Sequence, residues 1–157
     1  MILLAIDPGN EKSAYVSVDV ETYKPILFDK IENKKLLRFI RDAGFDYSYA
    51  VIESVASYGM AVGKEVFETC IWIGRFDMAI HYEMWIIPSL VYRKDVKLNL
   101  CGSPRAKDSN IIQALKDRFG DKGTKANPGW FYNFKSDCWQ AYALAVTWID
   151  NNKGKQQ

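Results

Sequence analysis

Two carboxylates stand where apolar runs end. Ile2, Leu3, Leu4, Ala5 and Ile6 lead directly into Asp7-Pro8-Gly9-Asn10, and Ala50-Val51-Ile52 leads into Glu53. Uninterrupted apolar runs closed by polar or turn residues read as strands covered on both faces, in the middle of a sheet. An ionised carboxylate at the end of such a strand is costly unless a cation, hydrogen-bond donors or water compensate it. Gly9 lets a phosphate or another backbone come close. Asp-Pro-Gly also reads as a plain turn, with Asp capping, Pro fixing φ and Gly supplying a positive φ. If the two strands are neighbours, both acids meet at one sheet edge and invite a metal ion. A third acid, Asp137, opens the last helix behind Ser136 as a cap, and its side chain points toward whatever that terminus faces. Asp137 serves equally as a helix-dipole residue.

The remaining chemistry narrows quickly. The chain has one histidine, His81, so zinc sites and histidine-based triads lose their usual ligands and bases. Cys70, Cys101 and Cys138 are odd in number and form no C-x-x-C pair, which together with the lack of a leader before Ile2 suggests a reducing, cytoplasmic setting. Catalysis must rest on carboxylates. With 21 Lys+Arg against 19 Asp+Glu the net charge is only +2, so a nucleic-acid partner has to be sought in local charge. The apolar-rich segment Cys70–Ala79 is broken by Arg75 and Asp77, and nothing spans a membrane.

The elements that must position these acids follow from periodicity. At 157 residues and 48% apolar, the chain reads as one domain over residues 1–151 with a flexible polar tail, 152–157. After the first strand, Ala14–Val20 and Pro25–Glu32 alternate as a meander. A helix spans Lys34–Ala43 and ends at Gly44, and Tyr49–Glu53 is the fourth strand. Val62 to about His81 is a long amphipathic helix, Glu83–Pro88 the fifth strand and Ser89–Leu98 a short charged helix. Helices then cover Lys107–Phe119 and Asp137–Asn151, separated by a long loop at Gly120–Lys135. The pattern predicts an α/β fold with a mixed sheet and helices on both faces.

In order and spacing these features resemble the RuvC-type Holliday junction resolvases of the ribonuclease-H-like superfamily, from Met1 to about Ile149. Four segments carry the resemblance: Ile6-Asp7-Pro8-Gly9; Val51-Ile52-Glu53; the run Arg93–Ile111 with its Val96-Lys97 and Gly102 turn; and Asp137–Thr147 with Ala141-Tyr142-Ala143-Leu144-Ala145. The resemblance implies a ribonuclease-H-like, five-stranded mixed sheet with the first three strands antiparallel. It also implies a homodimer acting on four-way DNA junctions and other branched DNA, and the chain's compactness and departures from the bacterial branch point to a phage-type member. Phosphodiester hydrolysis of that kind uses two divalent ions roughly 4 Å apart, and Mg²⁺, with Mn²⁺ as a substitute, suits hard carboxylate ligands. Asp7, Glu53 and Asp137 are the expected ligands and catalytic residues.

The departures define further expectations. The family's second aspartate in the last helix is replaced by Gln140, and Asp108 either supplies the missing oxygen ligand or merely caps its helix. The bacterial wedge phenylalanine is replaced by Ala56, which leaves Tyr58 as the nearest aromatic for that role or as loop packing. Lys94, Lys97, Arg105 and Lys107 gather at the glycine turn as phosphate contacts. Lys122 and Lys125 belong to a loop whose Trp130, Phe131, Tyr132 and Phe134 either stack on bases or anchor to the core. The long helix Val62–His81 is the expected dimer interface. Two rival functions share these residues: a module that binds junctions without cutting, and a related nuclease acting on RNA or RNA–DNA hybrid.

Overall fold

The apolar run Ile2–Ile6 forms β1 (Ile2–Asp7), and Leu3, Leu4, Ala5 and Ile6 are wholly buried. The computed structural model describes residues 1–43 and 47–153. In chain order, β2 (Lys12–Asp19) and β3 (Pro25–Glu32) follow, then α1 (Asn33–Asp42), β4 (Tyr47–Ser54), α2 (Lys64–Met84) and β5 (Ser89–Tyr92). Three helices complete the chain: α3 (Arg93–Cys101), α4 (Asp108–Phe119) and α5 (Ser136–Asn152). The five strands form one mixed sheet in the order β3-β2-β1-β4-β5, with β1 antiparallel to β2, β2 antiparallel to β3, and β1, β4 and β5 parallel.

Alternation along β1 and β4 sends side chains to two separate cores. Leu4, Ile6, Ala50 and Ile52 pack with Leu36 and Ile40 of α1 and Ile73, Phe76 and Ile80 of α2. Leu3, Ala5 and Val51 pack with α5, which α3 and α4 flank. Every residue from Cys138 to Ile149 is buried, and apolar faces all round mark α5 as an interior helix. Its far end is pinned by Asp150, which accepts both guanidinium nitrogens of Arg118 at 2.8 Å as well as the Tyr23 hydroxyl and Asn99.

Three sequence expectations are displaced. The segment read as a fifth strand, Glu83–Pro88, instead finishes α2 and turns through Trp85, whose φ of 58° lies in the left-handed region. The strand begins only at Ser89, within the segment read as a short helix. Trp85 and Ile87 are as apolar as any strand residue, yet they are 90% and 79% exposed, so local pattern misled where tertiary context decided. Asn152, read as tail, is helical and donates to the Trp148 carbonyl, and Lys153 reaches the Glu21 carbonyl and the Tyr23 ring. Gly44 and residues 154–157 lie outside the described residues. No helix among the described residues is long and apolar enough to cross a membrane.

The turn after β1 is held from three sides. Gly9 N–H donates to Ser13 Oγ, which donates to Asn33 Oδ1 at 2.6 Å, while Asn33 Nδ2 donates to the Gly9 carbonyl at 2.8 Å. Gly9 is required for close approach and not for a positive φ: a Cβ there would lie 2.4 Å from the Lys12 carbonyl oxygen. Asn33→Ala strands a buried hydroxyl and a carbonyl and should cost about 2–3 kcal/mol, and Gly9→Ala about the same by overpacking. Urea denaturation of each variant against the wild type measures both.

Candidate active site

Register brings the first two acids together. Ile6 pairs with Ile52 across parallel β1 and β4, so Asp7 and Glu53 are the next residues on neighbouring strands about 4.8 Å apart. Both point to the α5 face, the face of Leu3, Ala5 and Val51. On the other side of β1, Asp7 pairs with Ala14 and Ala14 with Lys30, so a single row across the sheet carries Lys30, Ala14, Asp7 and Glu53. α5 lies over this row and starts at it. Asp137, in its first turn, forms an ion pair with Lys30. Asp7, Gly9, Lys12, Lys30 and Asp137 line a cleft of about 200 Å³. Glu53, Ala56, Tyr58, Val66 and Arg93 line a second of about 210 Å³.

The electrostatics follow from burial and crowding. Loss of solvent is the largest influence on Asp7, with the Glu53 and Asp137 carboxylates adding to it against Arg93 and Lys30, and its pKa is pushed up to about 8. Burial likewise raises Glu53 above the usual carboxylate range, partly offset by Arg93 and Lys97. Burial opposes the charge on Arg93, but Glu53 and Asp108 outweigh it and hold the guanidinium protonated. Arg93 donates to Glu53 Oε2 at 3.3 Å and to Asp108 Oδ1 at 2.7 Å.

The other expected residues separate into groups. Asp108, the first residue of α4, pairs with Arg93 and adds to the negative charge around Glu53, and its side chain is 65% exposed. Lys107 occupies the capping position, its N–H donating to Asn110 Oδ1. Lys97, one turn beyond Arg93 on α3, lies within electrostatic reach of Glu53. Lys94, Arg105 and Lys125 are exposed. Tyr58 is 62% exposed in the loop after β4, with φ of 48°, a strained conformation for a non-glycine residue.

Lys122 departs from its expected role: its ammonium donates to the Phe134 carbonyl at 2.5 Å and faces the Trp139 ring. Three of the four loop aromatics are anchors, since Phe131 and Phe134 are buried and Trp130 stacks on Phe119 and donates to the Tyr142 hydroxyl. Gln140 is buried, and its Oε1 has no hydrogen-bond partner.

Two members of the site escaped the sequence argument, Lys30 and Arg93. Each carried a signal. Lys30 takes an inward position of β3, two residues from the packed Phe28, and Arg93 is a cation at a helix N-terminus, where the dipole disfavours one. Among the described residues, no three His, Cys, Asp or Glu side chains gather closely enough to hold a metal ion. The acids are instead paired with these two cations.

Because Asp7 keeps its proton in the native state between 3.8 and about 8 while the unfolded chain gives it up, the native state binds the extra proton and loses stability as pH rises through that window. Metal-free Asp7→Asn should therefore melt several degrees above the wild type at pH 8 and close to it at pH 4. Thermal scans of both across that range test this, and a gap that does not widen with pH refutes it.

No protein-family model and no curated protein sequence matches the chain. Its fold does match solved structures. Thermus thermophilus RuvC aligns with a TM-score of 0.73 at 16% identity, over 98% of this chain and 97% of that one. The T. thermophilus RuvC in complex with a Holliday junction substrate aligns with a TM-score of 0.74 at 16% identity, over 98% and 96%. Over 98% of its length this chain shares the fold of Thermus thermophilus RuvC.

Proposed function

We infer that this chain is a divalent-metal-dependent endonuclease that cuts four-way DNA junctions. The observation carrying this reading is the convergence of Asp7, Glu53 and Asp137 on one edge and one face of the sheet, from strands and a helix far apart in sequence. The fold it shares with a protein seen on a Holliday junction supports the substrate.

The residues fit a hard divalent cation. Asp7, Glu53 and Asp137 supply hard carboxylate oxygens at one edge of the sheet, with Lys30 paired to Asp137 and Arg93 to Glu53. Gln140, one turn along α5 from Asp137, leaves a buried oxygen without a partner. Asp7, Glu53 and Asp137 would hold Mg²⁺ or Mn²⁺, which when bound supplies an activated water and charge stabilisation at the scissile phosphate. Around it, Lys97, Arg105 and Lys107 contact backbone phosphates, Lys94 and Lys125 extend the basic rim, and Tyr58 packs against unstacked bases at the junction centre.

Paired cuts across a two-fold substrate call for two copies, and α2 carries a self-complementary stripe. Phe67, Ile71, Met78 and Tyr82 are each more than half exposed. Ile71 and Met78 stand three residues to either side of the Gly74-Arg75 centre, and Phe67 and Tyr82 seven to either side. An antiparallel second copy sets Ile71 against Met78 and Phe67 against Tyr82, with Gly74 letting the helices close.

Incubation of labelled four-way junction, fork, linear duplex and RNA–DNA hybrid with Mg²⁺ tests the reading. Symmetric paired nicks on the junction are expected, reduced about 10³-fold or more by Asp7→Asn, Glu53→Gln or Asp137→Asn. Binding without nicking would establish the non-cleaving alternative, which the glutamine at position 140 keeps open, and preferred cutting of the hybrid would move the substrate to RNA. Ile71→Glu should sediment as a monomer and yield unpaired nicks. Tyr58→Ala should lower junction affinity about tenfold while leaving duplex affinity unchanged.

A further inference from the structure

The geometry points to Arg93 as an internal counter-ion that an incoming divalent cation must displace from Glu53, with Asp108 retaining the displaced guanidinium at the cleft rim. On this inference, which rests on the nuclease reading above, Asp108 is a positioning residue acting through Arg93 and not a metal ligand.

Four observations support it. Arg93 is the first residue of α3, where the helix dipole works against a cation, so its placement answers to its partners and not to the helix. Those partners are unequal. The contact to Asp108 is 2.7 Å and that to Glu53 is 3.3 Å, so the guanidinium is anchored on the rim and rests more loosely on the buried acid. Exposure runs the same way, 65% for the Asp108 side chain against 14% for Glu53. Release of Glu53 therefore leaves Arg93 still paired and facing solvent, where a DNA phosphate would approach. Finally, Lys30 pairs with Asp137 as Arg93 pairs with Glu53, so two of the three acids carry a cationic side chain where a metal ion would compete.

A guanidinium can hold two carboxylates at once through its planar fork, which an ammonium cannot match. If Arg93 and a divalent ion compete for Glu53, removing the fork tightens metal binding. Removing Asp108 has the opposite effect, because Arg93 is then left with Glu53 alone and competes harder.

Mn²⁺ titration calorimetry without DNA tests this on the full chain. Arg93→Gln should bind Mn²⁺ about 5–10-fold more tightly than the wild type, the size of one partly exposed ion pair. Asp108→Asn should bind about threefold more weakly alone and show no effect in an Arg93→Gln background. Unchanged or weaker binding by Arg93→Gln overturns the proposal, as does a full Asp108→Asn loss that persists in the double variant, which would make Asp108 a ligand. Should Arg93→Gln not fold, Arg93→Lys decides: tighter binding supports displacement and wild-type affinity refutes it. Asp7→Asn separates this from the parent reading. If Asp7→Asn binds Mn²⁺ like the wild type, the nuclease reading fails; if it loses binding while Arg93→Gln matches the wild type, only the counter-ion role fails.

Discussion

A carboxylate at the end of a strand buried on both faces has too little water to stay ionised unaided, and the structure around Asp7 is arranged to meet that constraint. Glu53 and Asp137 worsen it by crowding like charge onto the same edge, while Lys30 and Arg93 relieve it. None of these groups is placed by the others alone. Remove the cations and three acids face one another in a poorly solvated space, and remove the acids and two cations stand beside a buried strand end with nothing to neutralise. The acid cluster and its counter-ions are one electrostatic unit: Lys30 and Arg93 pair with Asp137 and Glu53, and Asp7 between them holds its proton.

Precision comes from the scaffold beneath. Parallel pairing of β1 with β4 fixes the spacing of Asp7 and Glu53, and the Gly9–Ser13–Asn33 hydrogen bonds fix where the chain turns after Asp7. Asp137 rides on a helix buried along nearly its whole length and tied at its far end by Asp150 to Arg118, Tyr23 and Asn99. An interior helix held at its far end has little freedom to rotate, so the third acid is aimed by packing as much as by its own pairing with Lys30.

Much of this was readable in the residues. Run length and the acid that ends each run located β1 and β4 and their carboxylates, because burial on both faces leaves an unbroken apolar signature. The counter-ions were not readable in the same way. Lys30 reaches Asp137 across 107 positions and Arg93 reaches Glu53 across 40, distances in sequence that only register and crossover geometry convert into contact. Lys122 and the loop aromatics looked like a nucleic-acid surface because basic and aromatic residues interleave there. In the folded chain the same side chains close the core beneath the loop, and the ammonium finds a carbonyl. β5 was misplaced because Trp85-Ile86-Ile87 carries a strand's composition into what is a helix end and an exposed turn.

The irregularity at the start of the β1–β4 ladder has its own consequence. Ile2 pairs with Tyr47 and Leu3 with Tyr49, so Ser48 is absorbed as an extra residue at the base of the sheet, and Tyr47 and Tyr49 go to opposite cores. A slip of one residue reverses which face every later side chain takes. The bulge confines that slip to the first step, and from Leu3 onward the pairing runs true to Ile52. Because the extra residue sits at the sheet's foot, the rim that carries Asp7 and Glu53 keeps the even spacing of a regular parallel ladder.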